Sequence, residues 1–264
     1  ALLLTSLLMA GACTQNNEQS AEQPAAAMTP LSFENQTFKK QSPNCKSDTV
    51  SCATVQAGYL LAVGGTDSVR QKINDILIHY LKASLAVYAV EEKEFLIPLD
   101  KVAERFIKEY EDLRKDNPAY DIPWEVETTA KVLYQSSKLV SVAYSTYSNA
   151  GGAHPNSFST LLLLDKTTGT KLELSDFIND MHRLENIAEK HFRKVRGLSP
   201  KQRFDEANFF WGQPFALPEN FALLDSGLYF YYNTYDVAEY AAGPTEFTIP
   251  FSELEGIINK NSIF

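Results

Sequence analysis

The chain has 264 residues, with 24 Lys and Arg against 33 Asp and Glu, and a formal net charge of −9. At ~100–200 residues per domain this is one large domain or two small ones, and 44% hydrophobic with 22% charged residues excludes wholesale disorder. The acidic balance argues against a nucleic-acid partner and permits attraction to a basic protein, and no apolar run beyond the N-terminus is long enough for a membrane-spanning helix.

Residues 1–12, ALLLTSLLMAGA, are uncharged, too short to span a bilayer and end in small residues, as the remnant of a signal peptide does. Ala10-Gly11-Ala12-Cys13 has the small residues and the thiol of a bacterial lipobox, with Ala10 where Leu is more usual. An ordinary signal peptide with an incidental cysteine is the alternative. Residues 13–32 then read as a flexible tether, rich in Gln, Asn, Ala and Pro, carried by a lipidated Cys13. Because Thr14 is not Asp, sorting by analogy places the anchor in the outer membrane of the cell envelope, facing the periplasm or outside. Cys45 and Cys52, in NCKSDTVSC, suggest a disulfide in an exported protein. A metal pair is the alternative, but six intervening residues and no nearby His suit zinc poorly.

Residues 33–40 and 53–63 read as strands from their β-branched and aromatic content, and Gly64-Gly65 ends the second. Thr66 or Asp67 caps a helix with Val69, Ile73, Ile76, Leu77, Tyr80 and Leu81 at the 3.6-residue period. A second helix is predicted over 99–115, ended by Asn117-Pro118. The run Glu91-Glu92-Lys93-Glu94 between them reads as a solvated loop or helix end.

The period then changes to two over 122–135 and 138–148, with Ser136-Ser137 in the hairpin turn, and strands follow at 161–165 and 171–174. A helix over 181–195, strands at 221–224, 227–233 and 246–250, and a closing helix over 253–259 complete the chain. Separate runs of helices and hairpins predict an α+β fold: an antiparallel sheet with helices packed on one side, in two closely associated halves.

Among four histidines, His79 flanks a helical apolar stripe, and His191 shares a helix face with Leu184, Ile187 and Val195, so both read as structural. His182 and His191 are nine apart, not a metal-pair spacing. His154 follows Gly151-Gly152 in a loop between strands, where it can meet a ligand or pin the turn. Ser148 and Ser157 lie near it in sequence, which alone makes no nucleophile. Glu239 and Glu246 flank the turn 240–243 and are the carboxylates to examine for glycoside cleavage, although a solvated face accounts for both. Tyr229 and Tyr231 share one strand face and Phe230 and Tyr232 the other, so one face is buried. Tyr235 and Tyr240 fall outside that alternation and are the better binding candidates. No nucleophile elbow, Walker loop, HExxH or CxxC is present, and no cofactor, metal or catalytic residue is expected.

The loop YSNAGGAHP (147–155) with the LDKTTGTKLELSDFI segment, and YYNTYDVAEYAAGPTEFTIPFSEL (231–254), resemble the C-terminal domain of the RsiV anti-sigma ectodomain. Residues 33 to about 135 resemble the companion domain that precedes the catalytic domain of PdaC-type deacetylases. The resemblance implies a PdaC-like α+β domain over 33–150 and an RsiV-like one over 151–264. It also implies an envelope lipoprotein that binds cell-wall glycan or a basic, lysozyme-like protein without enzymatic action. Binding would run through Gly151, Gly152, His154, Tyr235, Tyr240 and Gly243. Sigma-factor signalling and deacetylation are not carried over, since the sequence shows neither an anti-sigma segment with its membrane helix nor a catalytic domain. A wall-polysaccharide hydrolase is the alternative, and the sequence sets no oligomeric state.

Overall fold

The computed structural model describes residues 29–43, 45, 51–86 and 97–263. The signal remnant, Cys13, nearly all of the tether and the charged run 91–94 lie outside the described residues.

Strands β1 (Ser32–Gln41), β2 (Ala53–Val63), β3 (Trp124–Gln135), β4 (Leu139–Asn149) and β5 (Asn156–Asp165) form one sheet in sequence order. Helices α1 (Asp67–Leu85) and α2 (Leu99–Asp116) lie between β2 and β3. Helix α3 (Met181–Val195) precedes a second sheet, the antiparallel meander β6 (Phe221–Leu224), β7 (Gly227–Tyr232) and β8 (Thr245–Pro250). A single turn of helix, α4 (Lys260–Ile263), follows. The α+β class therefore holds. Within it, β2 and β3 pair in parallel while the other pairs are antiparallel, because two helices in series supply the long crossover that parallel neighbours need.

Helix α1 starts where the Thr66 hydroxyl accepts the Val69 N–H at 3.4 Å, and its period places Ile73, Leu77, Leu81 and Leu85 on one buried stripe. That stripe and Phe106, Ile107 and Tyr110 of α2 cover one face of the first sheet, against Val55, Val126, Val142 and Tyr144. Each such aliphatic side chain contributes on the order of 1.5–3 kcal/mol by leaving water. The predicted disulfide joins Cys45 to Cys52, with Cα atoms 5.6 Å apart, just before β2.

The burial of β4 changes along its length. Residues 139–144 are buried without a break, and only from Ser145 do exposed and buried residues alternate. The reason is a second layer. Val140, Val142 and Tyr144 face the helices, whereas Leu139 and Ala143 face β6 and the second core, and Leu223 N–H donates to the buried Ser141 hydroxyl at 3.0 Å. A strand covered on both faces reads as a continuous apolar run. Beyond Tyr144 the second cover stops, leaving an open sheet face.

Helix α3 packs Leu184, Ala188 and Phe192 into the second core. Five rings surround Phe192 at centroid distances of 4.9–5.9 Å: Phe204, Phe209, Phe210, Phe215 and Tyr232. Val195, expected on that face, is exposed. Two further expectations fail locally. Residues 171–174 form one isolated bridge, Leu164 to Lys171, and then a 3-10 turn, Leu174–Asp176, that reciprocal Glu173 and Asp176 capping holds. The closing helix over 253–259 is replaced by a 3-10 turn, Phe251–Leu254, because Gly256 turns the chain at φ +82°.

Candidate functional site

The β4–β5 hairpin loop and the segment after β7 are brought together by the edge strand β5. Asn233, just after β7, accepts the Ser159 N–H at 2.6 Å and donates to the Ser159 carbonyl at 3.0 Å. Asn220 does the same one step along, accepting from Leu161 N–H at 2.6 Å and donating to Ser159 O at 2.7 Å. Two amide side chains thus occupy the free edge of β5 in the way a further strand would.

This lock places three sequence-predicted residues in contact. The His154 ring stacks on Tyr240, with centroids 3.8 Å apart and planes at 25°. Tyr235 lies 5.8 Å from Tyr240, centroid to centroid, and its hydroxyl meets His154 Nε2 at 3.4 Å. The Pro155 carbonyl serves two donors: His154 Nδ1 at 3.0 Å and the Tyr240 hydroxyl at 3.1 Å. With Nδ1–H donating to a carbonyl, Nε2 is the acceptor for the Tyr235 O–H, an assignment made from the network. Both ring nitrogens are engaged, and the geometry brings neither Ser148 nor Ser157 to the imidazole. Tyr235 is 51% and Tyr240 40% exposed, so the stack presents aromatic surface to water.

The glycines differ in role. Gly151 has φ +74°, and a Cβ there would stand 1.9 Å from the Tyr120 hydroxyl and 2.7 Å from Trp124 Nε1, which donates to that hydroxyl at 2.9 Å. Only glycine fits, and the hairpin loop is fixed to the first core by this approach. Gly152 shows neither a positive φ nor crowding, so it is not required there. Gly243, at φ +65°, has open space around it and is needed for its backbone shape alone.

Arg196, at the C-cap of α3, was not marked by the sequence and holds the Gly243 turn. Its guanidinium donates to the carbonyls of Ala242, Gly243 and Pro244 at 2.9–3.0 Å and to the Thr245 hydroxyl, and it lies 5.2 Å over the Phe209 ring. Tyr147 is the other addition. It is 37% exposed on the open face of β4, and loss of hydration followed by the neighbouring Glu125 carboxylate raises its pKa. Beside it a groove of about 310 Å³ is lined by Glu127, Thr129, Ser145, Ser157, Ser159 and Tyr231. The groove is hydroxyl-rich, acidic at one side and bounded by tyrosines.

The two candidate carboxylates part company. Glu246 accepts the Tyr229 hydroxyl, while Glu239 lines a separate cleft with Asp205 and Trp211. Phe230 and Tyr232 are buried, with Tyr229 and Tyr231 half-buried. His191 contacts Glu253 at 3.1 Å, as a satisfied structural residue does, and His79 is exposed at the flank of the α1 stripe, with its pKa lowered by loss of hydration and by Lys82. Among the described residues, no three His, Cys, Asp or Glu side chains are grouped to hold a metal ion, and no helix is long and apolar enough to cross a membrane.

Residues 44–157 match the family described as deacetylase PdaC, and residues 175–252 the family described as a protein of unknown function, DUF3298. Both domains are thus present in the chain. No curated protein matches the sequence. Two crystal structures of DUF3298 family proteins share the fold. One, from Bacteroides fragilis, is 20% identical with a TM-score of 0.66, over 88% of this chain and 95% of that one. The other, from Pseudomonas aeruginosa PAO1, is 20% identical with a TM-score of 0.60, over 89% and 97%.

Proposed function

We propose that this chain is an extracytoplasmic binding module for cell-wall glycan, tethered to the envelope through a lipidated Cys13. The PdaC and DUF3298 domains suggest a cell-wall-related protein outside the cytoplasm. The resemblance to the RsiV ectodomain supports a receptor role over a catalytic one. The observation that carries the ligand class is the His154–Tyr240 stack, extended by Tyr235 and continued toward Tyr147 and the hydroxyl-lined groove. The C–H face of a pyranose is apolar and its rim polar, so it pairs with exposed rings flanked by hydroxyls and carboxylates.

The test is calorimetric titration of the full chain with soluble peptidoglycan fragments. His154→Ala and Tyr240→Ala each weaken binding about tenfold, the equivalent of about 1.4 kcal/mol. Binding unchanged in both variants rejects the site. A second reading, a basic lysozyme-like partner, draws on the net charge of −9 and on Glu125 and Glu127 on the open face. It predicts affinity for hen-type lysozyme that falls as salt rises, whereas glycan binding changes little with salt.

A further inference from the structure

A second cleft, of about 520 Å³, reaches Glu239, the residue before Tyr240. Asp205, Asn208, Trp211, Gly212 and Glu239 line it. Trp211 is 61% exposed, more than any other large apolar side chain among the described residues. Its backbone is unusual. Asn208, Phe210, Trp211 and Gly212 all have φ between +52° and +80°, a region that bulky side chains rarely adopt. The two aromatic residues hold that conformation because the base is fixed. Phe209 and Phe210 are buried against Phe192, and Phe210 N–H donates to the Val237 carbonyl at 2.6 Å. Backbone of this kind persists where the surroundings over-determine it, and it recurs at ligand sites. Here it turns an indole outward instead of into the adjoining aromatic core.

The polar groups around the indole are specific. Arg203 engages both Asp205 oxygens, Nε to Oδ1 at 2.9 Å and Nη2 to Oδ2 at 2.5 Å, so that carboxylate is a neutralised acceptor, not a bare anion. Asn208 offers an amide, and Glu239, next to Tyr240, a carboxylate. An exposed ring face with amide and carboxylate groups at its edge matches the apolar face and hydroxyl rim of a sugar. A cationic ligand would be matched better by unpaired acids.

We propose that the Trp211 cleft is a saccharide-binding subsite, in which the indole carries a pyranose face and Asn208 and Glu239 bind its hydroxyls. It shares only the ligand class with the function proposed above and uses none of the His154 residues. Because Glu239 and Tyr240 are adjacent, one glycan strand can reach both surfaces.

The experiment is titration of the full chain with a soluble β-1,4-linked N-acetylglucosamine tetramer, followed by tryptophan emission and by calorimetry. The chain has two tryptophans, and Trp124 is buried. The expected result is a saturable blue shift that disappears in Trp211→Phe. Affinity falls tenfold or more in Trp211→Ala and several-fold in Glu239→Gln, with unchanged circular dichroism. Calorimetric binding without an emission change and with full affinity in Trp211→Ala overturns the subsite while leaving the His154 platform standing. Loss in Trp211→Ala but none in His154→Ala keeps the subsite and rejects the platform. No heat and no shift rejects both. Binding of tetralysine in place of the sugar, lost at high salt, overturns the saccharide assignment.

Discussion

Arg196 decides whether the Tyr240 turn has one shape. The turn has a positive-φ glycine at its end, and its carbonyls would otherwise face water or nothing. A planar guanidinium reaches three successive carbonyls and a hydroxyl at once because its N–H groups diverge in a fixed fork. A lysine ammonium keeps the charge but cannot span that arc. Arg196→Lys is therefore expected to lose about 2 kcal/mol of stability, since bonds from a charged donor contribute about 1.5–3 kcal/mol each and only part of the set is lost. The urea midpoint should fall with an unchanged slope, and glycan affinity should fall with it, because Tyr240 reaches His154 only from this turn. Unchanged stability would mean that the turn holds itself.

At the scale of elements, β1 is fastened to α2 by charge. Lys40 lies 2.5 Å from Asp100 and 2.9 Å from Glu104, and Lys101 adds 2.6 Å to Glu104. The two lysines lower the Glu104 pKa to about 2, Lys101 first and Lys40 second. A carboxyl whose folded pKa is depressed contributes stability that is present above its unfolded value, near 4.5, and is lost as pH falls through the folded one. The loss thus falls between about pH 4.5 and 2. Glu104→Gln should flatten the pH dependence of the urea midpoint in that window and leave it elsewhere, and an unaltered acid limb would show that the contact is screened out. Elements of this kind were legible in the sequence where period and punctuation agree. The Thr66 cap, the α1 stripe and the β3–β4 hairpin are such cases. Residues 171–174 and 253–259 were not, because a short apolar alternation or run fixes no register without a neighbouring strand or a full helical turn. The parallel β2–β3 pair was hidden as well, since pairing depends on where two helices return the chain. Of the site, His154, Tyr235 and Tyr240 stood out as residues outside any regular period. Arg196, Tyr147 and Trp211 did not, because their roles come from what the tertiary fold places beside them.

For the whole molecule, the question is whether two sheets make two folding units. The packing argues for one. Leu139 and Leu163, from β4 and β5 of the first sheet, belong to the second core with Phe177, Phe192 and Phe230. The hairpin joining β4 to β5 also crosses residue 150, so a division there would cut through a single sheet. The edge of β5 is completed by Asn220 and Asn233 from the other half. Asn220→Ala removes the partner of the Leu161 N–H and one of two donors to the Ser159 carbonyl, and a part-buried polar group left unmet costs about 1–3 kcal/mol. If the halves fold together, that loss is shared. The slowest-exchanging amides of β2–β4 and those of β7 should have one opening free energy in the parent and drop by the same amount, about 2 kcal/mol, in the variant. A drop confined to β7 would divide the molecule into two units, with β5 as the hinge between them, and glycan binding across the His154–Tyr240 contact would then be coupled to their docking.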